Sequence, residues 1–135
     1  MNIPLQQLQF TGKNEGFRSK IYECSAGKKT IGYGLNLESG ITEKEAAALL
    51  SMRMKALYGV IESRFTWFSS LPEEKKIAIA DMNYQLGVNG FSKFVKSIGF
   101  MADGDYGNAA DEFLDSRWAA QTPYRAKRVT DMIRA

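Results

Sequence analysis

Between Asn14 and Gly34 the chain changes its period, and that change constrains its fold more than any other feature. The segment reads NEGFRSKIYECSAGKKTIGYG. Upstream, Leu5, Leu8 and Gln9 recur at helical spacing, and Gly16 suits the position just past a helix. A short helix ending near Asn14 or Glu15 is predicted. Downstream, Ile21 and Tyr22, then Thr30, Ile31, Tyr33 and Leu35, are β-type residues interrupted by Ser25-Ala26-Gly27. They predict a hairpin with an irregular turn. Gly32 and Gly34 are expected inside its second strand, where a missing side chain lets backbone or ligand come close.

Everything after the hairpin has the period of helices. Glu38-Ser39-Gly40 reads as a turn, and Thr42 with Glu45 three residues on reads as a capping box. Ala46, Leu49, Leu50, Met54, Leu57 and Ile61 continue an apolar stripe to about residue 63. Ser70 and Glu73 bracket another start, with Pro72 expected in the first turn. Ile77, Ile79, Ala80, Met82, Tyr84 and Leu86 predict a strongly buried helix ending at Gly87. Shorter helices are expected from Phe91 to about Met101, around Tyr106 to Leu114, and after Thr122 as cap with Pro123 at the first helical position. The plan is α+β: a small hairpin lobe at about 12–40, a connecting helix at about 42–63, and a helical lobe at about 70–135. The N-terminal helix is expected to pack on that helical lobe.

Composition narrows the chemistry. At 135 residues, 44% hydrophobic and 24% charged, the chain suits one ordinary globular domain. No apolar run is long enough for a membrane span. The opening MNIPLQQLQF has neither a basic n-region nor a continuous apolar stretch, so no secretory signal is read there. A net charge of +3 favours anionic polymers only mildly. With no histidine, a Ser-His-Asp or Cys-His hydrolase is excluded and a zinc site is not expected. One cysteine forms no internal disulfide. Ala26-Gly27-Lys28-Lys29-Thr30 lacks the first glycine and the Lys-Ser/Thr pair of a phosphate loop, and Gly32-Tyr33-Gly34 opens no helix, so no nucleotide cradle is read. The basic residues Arg117, Arg125, Lys127, Arg128 and Arg134 come without a recognition helix or an RNA-binding aromatic motif, and no nucleic-acid partner is expected.

Glu15, Cys24 and Thr30 remain as the chemical constellation. Eight residues separate the first two and five the last two. Taken singly, each has an ordinary explanation: a solvated acid, a packed thiol, a β-former. Together at a helix end and along a hairpin they supply an acid, a soft base or nucleophile, and a hydroxyl. An acid and a water-activating group on opposite sides of a bond suffice for glycoside hydrolysis.

Three blocks in order carry a resemblance: Asn14 to Gly34, Asp81-Met82-Asn83-Tyr84-Gln85-Leu86-Gly87, and SRWAAQTPYRAKRV from Ser116 to Val129. They resemble the phage-type lysozymes of glycoside hydrolase family 24, the family of the T-even phage enzyme. The first block fits the family pattern Glu, eight residues, Asp or Cys, five residues, Thr. The resemblance implies a two-lobed lysozyme-like fold with its cleft between the lobes. It implies hydrolysis of the β-1,4 bond between N-acetylmuramic acid and N-acetylglucosamine of peptidoglycan, as an endolysin causing lysis. Glu15 would be the general acid, Cys24 the water-activating base or the nucleophile, and Thr30 the group that positions water. Glu23, adjacent to Cys24, would point to the other face of its strand. Tyr84, Gln85 and Ser97 would hold sugar rings. Arg117, Gln121 and Arg125 would support the site, Arg125 by pairing with Glu15. Trp118 is expected in the core. Two departures stand out: Cys24 where Asp is commoner, and Leu35 where the T-even enzyme has a histidine. A monomer without metal or cofactor is expected. Synthesis in the host cytoplasm would be followed by release to the periplasm and wall, without stable membrane insertion.

Overall fold

The computed structural model describes residues 2–135 and is α+β. Its described residues form seven α-helices, one 3-10 turn and a three-stranded antiparallel sheet of order β1-β2-β3. The chain divides into two compact units, one running to Ala48 and the other covering Leu49–Ala135.

The first unit contains α1 (Leu5–Glu15), β1 (Arg18–Glu23), β2 (Lys29–Gly32), β3 (Leu35–Asn36), a 3-10 turn (Leu37–Ser39) and the start of α2. Helix α1 stops at Glu15 because Gly16, at φ 72°, takes a conformation open to glycine at little cost. Strands β1 and β2 pair Tyr22 with Thr30 and Glu23 with Lys29, and the register is irregular between Arg18 and Tyr22. The predicted hairpin is present, with one correction. Gly32 ends β2, Gly34 stands in a turn at φ 75°, and a short third strand follows. Two positive-φ glycines bend the chain where the alternation of Ile31, Tyr33 and Leu35 suggested a continuous strand. Phe17 and Tyr33 pack ring to ring at 5.5 Å, and the Tyr33 ring lies over Gly12 of α1, which ties helix to sheet.

Helix α2 (Glu43–Arg64) opens on the predicted box. The Glu45 N–H donates to the Thr42 hydroxyl at 3.1 Å and the Thr42 N–H donates to the Glu45 carboxylate at 2.8 Å. Burial along its apolar stripe is concentrated toward the C-terminal end: Ile61 is buried, Met54 and Leu57 pack partly against the core, and Leu49 and Leu50 are exposed.

The second unit adds α3 (Glu73–Phe91), α4 (Val95–Ala102), α5 (Tyr106–Leu114), α6 (Arg117–Gln121) and α7 (Pro123–Arg134). Phe91, Phe94, Phe113 and Trp118 pack edge to face and tilted at its centre. Each such ring buried contributes on the order of 1.5–3 kcal/mol. Four expectations need correction. The regular helix does end at Gly87, whose φ of 76° and ψ of 156° break α3 before a last stretch to Phe91, but its Ile77 and Tyr84 face outward while Ala78, Ile79 and Met82 are buried. Pro72 sits at the cap position instead of inside the first turn. Thr122 precedes α7, but its hydroxyl donates back to the Trp118 carbonyl and caps nothing. Helix α6, capped by Ser116 accepting from the Ala119 N–H, was not foreseen, because five residues are too few to show a period. Lys75 is 5% exposed, its ammonium bonded to the Ala135 carbonyl and set over the Tyr106 ring at 4.7 Å.

Candidate active site

The chain carries Glu15 to the last residue of α1 and turns immediately at Gly16. The Glu15 side chain lies on Gly34. A β-carbon added at Gly34 would collide with the Glu15 carboxylate, falling 2.7 Å from its carboxyl carbon. Real β-carbons do not tolerate such contacts, so a residue with a side chain at position 34 would displace the acid. Gly34 thus does two jobs, making a left-handed turn and leaving room for Glu15.

Cys24 and Thr30 meet across the hairpin turn. The Cys24 N–H donates to the Lys28 carbonyl at 2.9 Å, and the Gly27 N–H donates to the Cys24 carbonyl at 2.8 Å. The Thr30 hydroxyl donates to the same Lys28 carbonyl at 2.9 Å. Thr30 is 3% exposed; Cys24 is half-buried. The Lys28 N–H, then the Ala26 N–H, pull the Cys24 thiol below its ordinary pKa against a lesser opposing effect of burial, and the Thr30 hydroxyl adds a still smaller pull in the same direction. One hydroxyl carries one proton, so Thr30 serves the Lys28 carbonyl while Cys24 is a thiol and can turn to the sulfur when it ionises. Glu23 is exposed and pairs in register with Lys29.

In the second unit the structure resolves each expected residue separately. Arg125 is gripped by Asp81: Nε donates to one carboxylate oxygen at 2.9 Å and a terminal nitrogen to the other at 3.0 Å. Asp81 hydrogen bonding raises the Arg125 pKa further. This two-pronged pair fixes the guanidinium plane. Asp81 stood in a resembling block without a role of its own. Nothing at a separation of 44 residues signals that it would meet Arg125. Gln85 accepts from the Trp118 indole N–H at 2.9 Å, which leaves its amide NH2 for other partners and satisfies the buried indole. Tyr84 is exposed, Ser97 is only 2% exposed, and Arg117 and Gln121, at the two ends of α6, are exposed. Ser97 reaches the surface along a hollow it shares with Lys96 and Glu112. Among the described residues no group of His, Cys, Asp and Glu is arranged to hold a metal ion, and no helix is long and apolar enough to cross a membrane.

Comparison with known proteins finds similarity over most of the chain. The family model described as phage lysozyme matches residues 12–132, which includes Glu15, Cys24, Thr30 and Arg125. A probable T4-type lysozyme 2 of Dictyostelium discoideum is 32% identical over 120 residues, covering 87% of this chain and 69% of the relative. An endolysin of Acyrthosiphon pisum secondary endosymbiont phage 1 is 29% identical over 125 residues, covering 88% and 81%. The pre-baseplate central spike protein of Enterobacteria phage T4 is 27% identical over 162 residues, covering 98% of this chain but 28% of that protein.

Proposed function

Because this chain belongs to the phage lysozyme family, we propose that it is a muramidase. It hydrolyses the β-1,4 bond between N-acetylmuramic acid and N-acetylglucosamine in peptidoglycan. Glu15 gives its proton to the departing glycosidic oxygen as the bond to the anomeric carbon breaks. Water adds to that carbon, and its proton passes to the Cys24 thiolate. The Thr30 oxygen orients the water. Tyr84 and Gln85 hold sugar rings by stacking and hydrogen bonding, Ser97 borders the same polymer, and Arg117, Gln121 and Arg125 support them. The observation that carries the reading is the seat of Glu15 on Gly34, a place kept for a carboxylate in the same unit as the Cys24–Thr30 pair.

As an endolysin the protein would be made in the host cytoplasm and reach the wall once the membrane opens. It would act as a monomer and cause lysis. One observation favours a second reading, a structural protein with this fold: similarity to a spike protein of which the match covers 28%.

Digestion of purified sacculi with mass spectrometry of the products decides. Reducing N-acetylmuramic acid ends are expected. Ends in the 1,6-anhydro form would mean a lytic transglycosylase, and no soluble fragment would mean a structural or wall-binding protein. Glu15→Gln should lower the rate by about a hundredfold or more with the fold intact, the lower range for general acid catalysis. Equal lysis by this variant would remove Glu15 from the mechanism.

A further inference from the structure

The peptide group between Lys28 and Lys29 is bonded on both of its edges. Its carbonyl accepts the Cys24 N–H at 2.9 Å and the Thr30 hydroxyl at 2.9 Å. Its N–H, on the opposite edge of the same planar unit, donates to the Glu38 carboxylate at 3.0 Å. Glu38 lies nine residues beyond Lys29, in the 3-10 turn that follows β3, and the proposed chemistry gives it no part.

The register of the sheet explains why a side chain stands there. Strands β2 and β3 pair Thr30 with Asn36 and Ile31 with Leu35. One more step would set Lys29 against Leu37, but by then the chain has left the strand and coils through Leu37–Ser39. The Lys29 N–H meets a side chain there instead of a strand, and the carboxylate is that of Glu38. The turn fixes Glu38 in its turn, since the Asn36 side chain accepts from the Glu38 N–H at 2.9 Å. The bond to Lys29 is exposed, where water serves an N–H nearly as well, so the carboxylate adds little stability. What it adds is direction. A bond to a charged group is stronger than one to a neutral partner, and bonds on the two edges of one peptide group polarise each other.

We propose that Glu38 is a positioning residue for the Cys24–Thr30 pair: through the Lys28–Lys29 peptide it holds the one carbonyl to which both are bonded. The inference rests on the proposed muramidase reading, in which Cys24 takes the proton of the attacking water and Thr30 orients that water. Without Glu38 the peptide group is free to tip. The Thr30 hydroxyl and the Cys24 backbone, bonded to its other edge, tip with it. Small displacements of this kind are costly for a reaction that needs its groups aligned. Glu38 acts through the peptide group, and no proton transfer is assigned to it.

The test compares Glu38→Ala, Glu38→Gln and Glu45→Ala, each in the full chain. Position 38 is exposed, so neither change there disturbs the core. Glutamine keeps an oxygen for the Lys29 N–H and gives up the charge, whereas alanine gives up both. Glu45→Ala is the control: it loosens the same unit at the capping box of α2 without reaching the peptide. On purified sacculi, kcat of Glu38→Ala should fall about tenfold with KM unchanged, the scale of one charge-assisted hydrogen bond. Glu38→Gln should recover most of that loss, and Glu45→Ala should match the parent at equal folded concentration. A second readout needs no activity. In the isotope-labelled chain the Lys29 amide proton should move upfield in Glu38→Ala, and the Cys24 amide should exchange with solvent several-fold faster. Both should return most of the way in Glu38→Gln. Unchanged kcat in Glu38→Ala, equal losses in the alanine and glutamine variants, or the same loss in Glu45→Ala would overturn the proposal. If the parent protein cleaves no glycan, the muramidase reading falls and the amide readout judges the clamp by itself. Cleavage by the parent with unmoved Lys29 and Cys24 amides in Glu38→Ala would keep the enzyme and remove the clamp.

Discussion

The Glu15 carboxylate occupies the space that a side chain on Gly34 would need. Helix end and sheet turn are therefore coupled by an absence: the acid keeps its place because residue 34 has no β-carbon. Gly34→Ala should both strain a backbone at φ 75° and push Glu15 aside. The strain alone costs on the order of 1 kcal/mol. Gly40→Ala is the control, since Gly40 shares φ 75° and has nothing within 4 Å of its added carbon. Lysis should drop by at least about tenfold more in the Gly34 variant than in the Gly40 variant, at equal folded concentration, if the acid acts from this seat. Similar activities would show that displacing Glu15 does not matter.

Much of this arrangement was legible in the residues themselves. The helix stop at Glu15, the hairpin and the Thr42–Glu45 box follow from local rules, because each is written within a few residues. The positions of Glu15, Cys24 and Thr30 relative to those elements were legible for the same reason. Three relationships were not. The Gly34 turn was hidden because a strand's alternation and a bend made by two glycines look alike in a short run. The outward faces of Ile77 and Tyr84 were hidden because the apolar residues of their helix are spread around it among polar ones, so period alone does not choose the buried side. The Asp81–Arg125 and Gln85–Trp118 pairs join residues 44 and 33 apart, and only the packing of helices brings them together.

The Asp81–Arg125 pair should behave as a positioning device more than a source of stability. Its side chains are 40% and 33% exposed, so water screens much of their attraction. A double-mutant cycle with Asp81→Ala and Arg125→Ala should give a coupling of about 0.5–1 kcal/mol, the upper part of the range for partly exposed pairs. Coupling should shrink in molar salt. Arg125→Lys should lose most of the coupling, since an ammonium does not reproduce the two-pronged grip. A cycle that closes to zero at low salt would mean the observed geometry carries no energetic preference.

Cys24 gives the sharpest test, because its chemistry depends on its turn. The Lys28 and Ala26 N–H groups and the Thr30 hydroxyl favour the thiolate, so the folded pKa lies below the unfolded one. An acid depressed in the folded state adds stability that is fully present above its unfolded pKa and is lost as pH falls through the folded value. Two outcomes follow. Alkylation of the native protein by iodoacetamide should reach half its limiting rate at a lower pH than alkylation of the unfolded chain, and Thr30→Val should move that midpoint upward. The alkylated protein should no longer lyse cells. Cys24→Asp should keep substantial activity, because a carboxylate also accepts a proton from water. Cys24→Ala should lose most of it, and Cys24→Ser should be poor because a hydroxyl does not ionise in this range. Coincident midpoints for native and unfolded chains would mean that the turn does not activate the thiol. Parental lysis by the alanine variant would make Cys24 a packing residue and leave the reaction to Glu15 and Thr30.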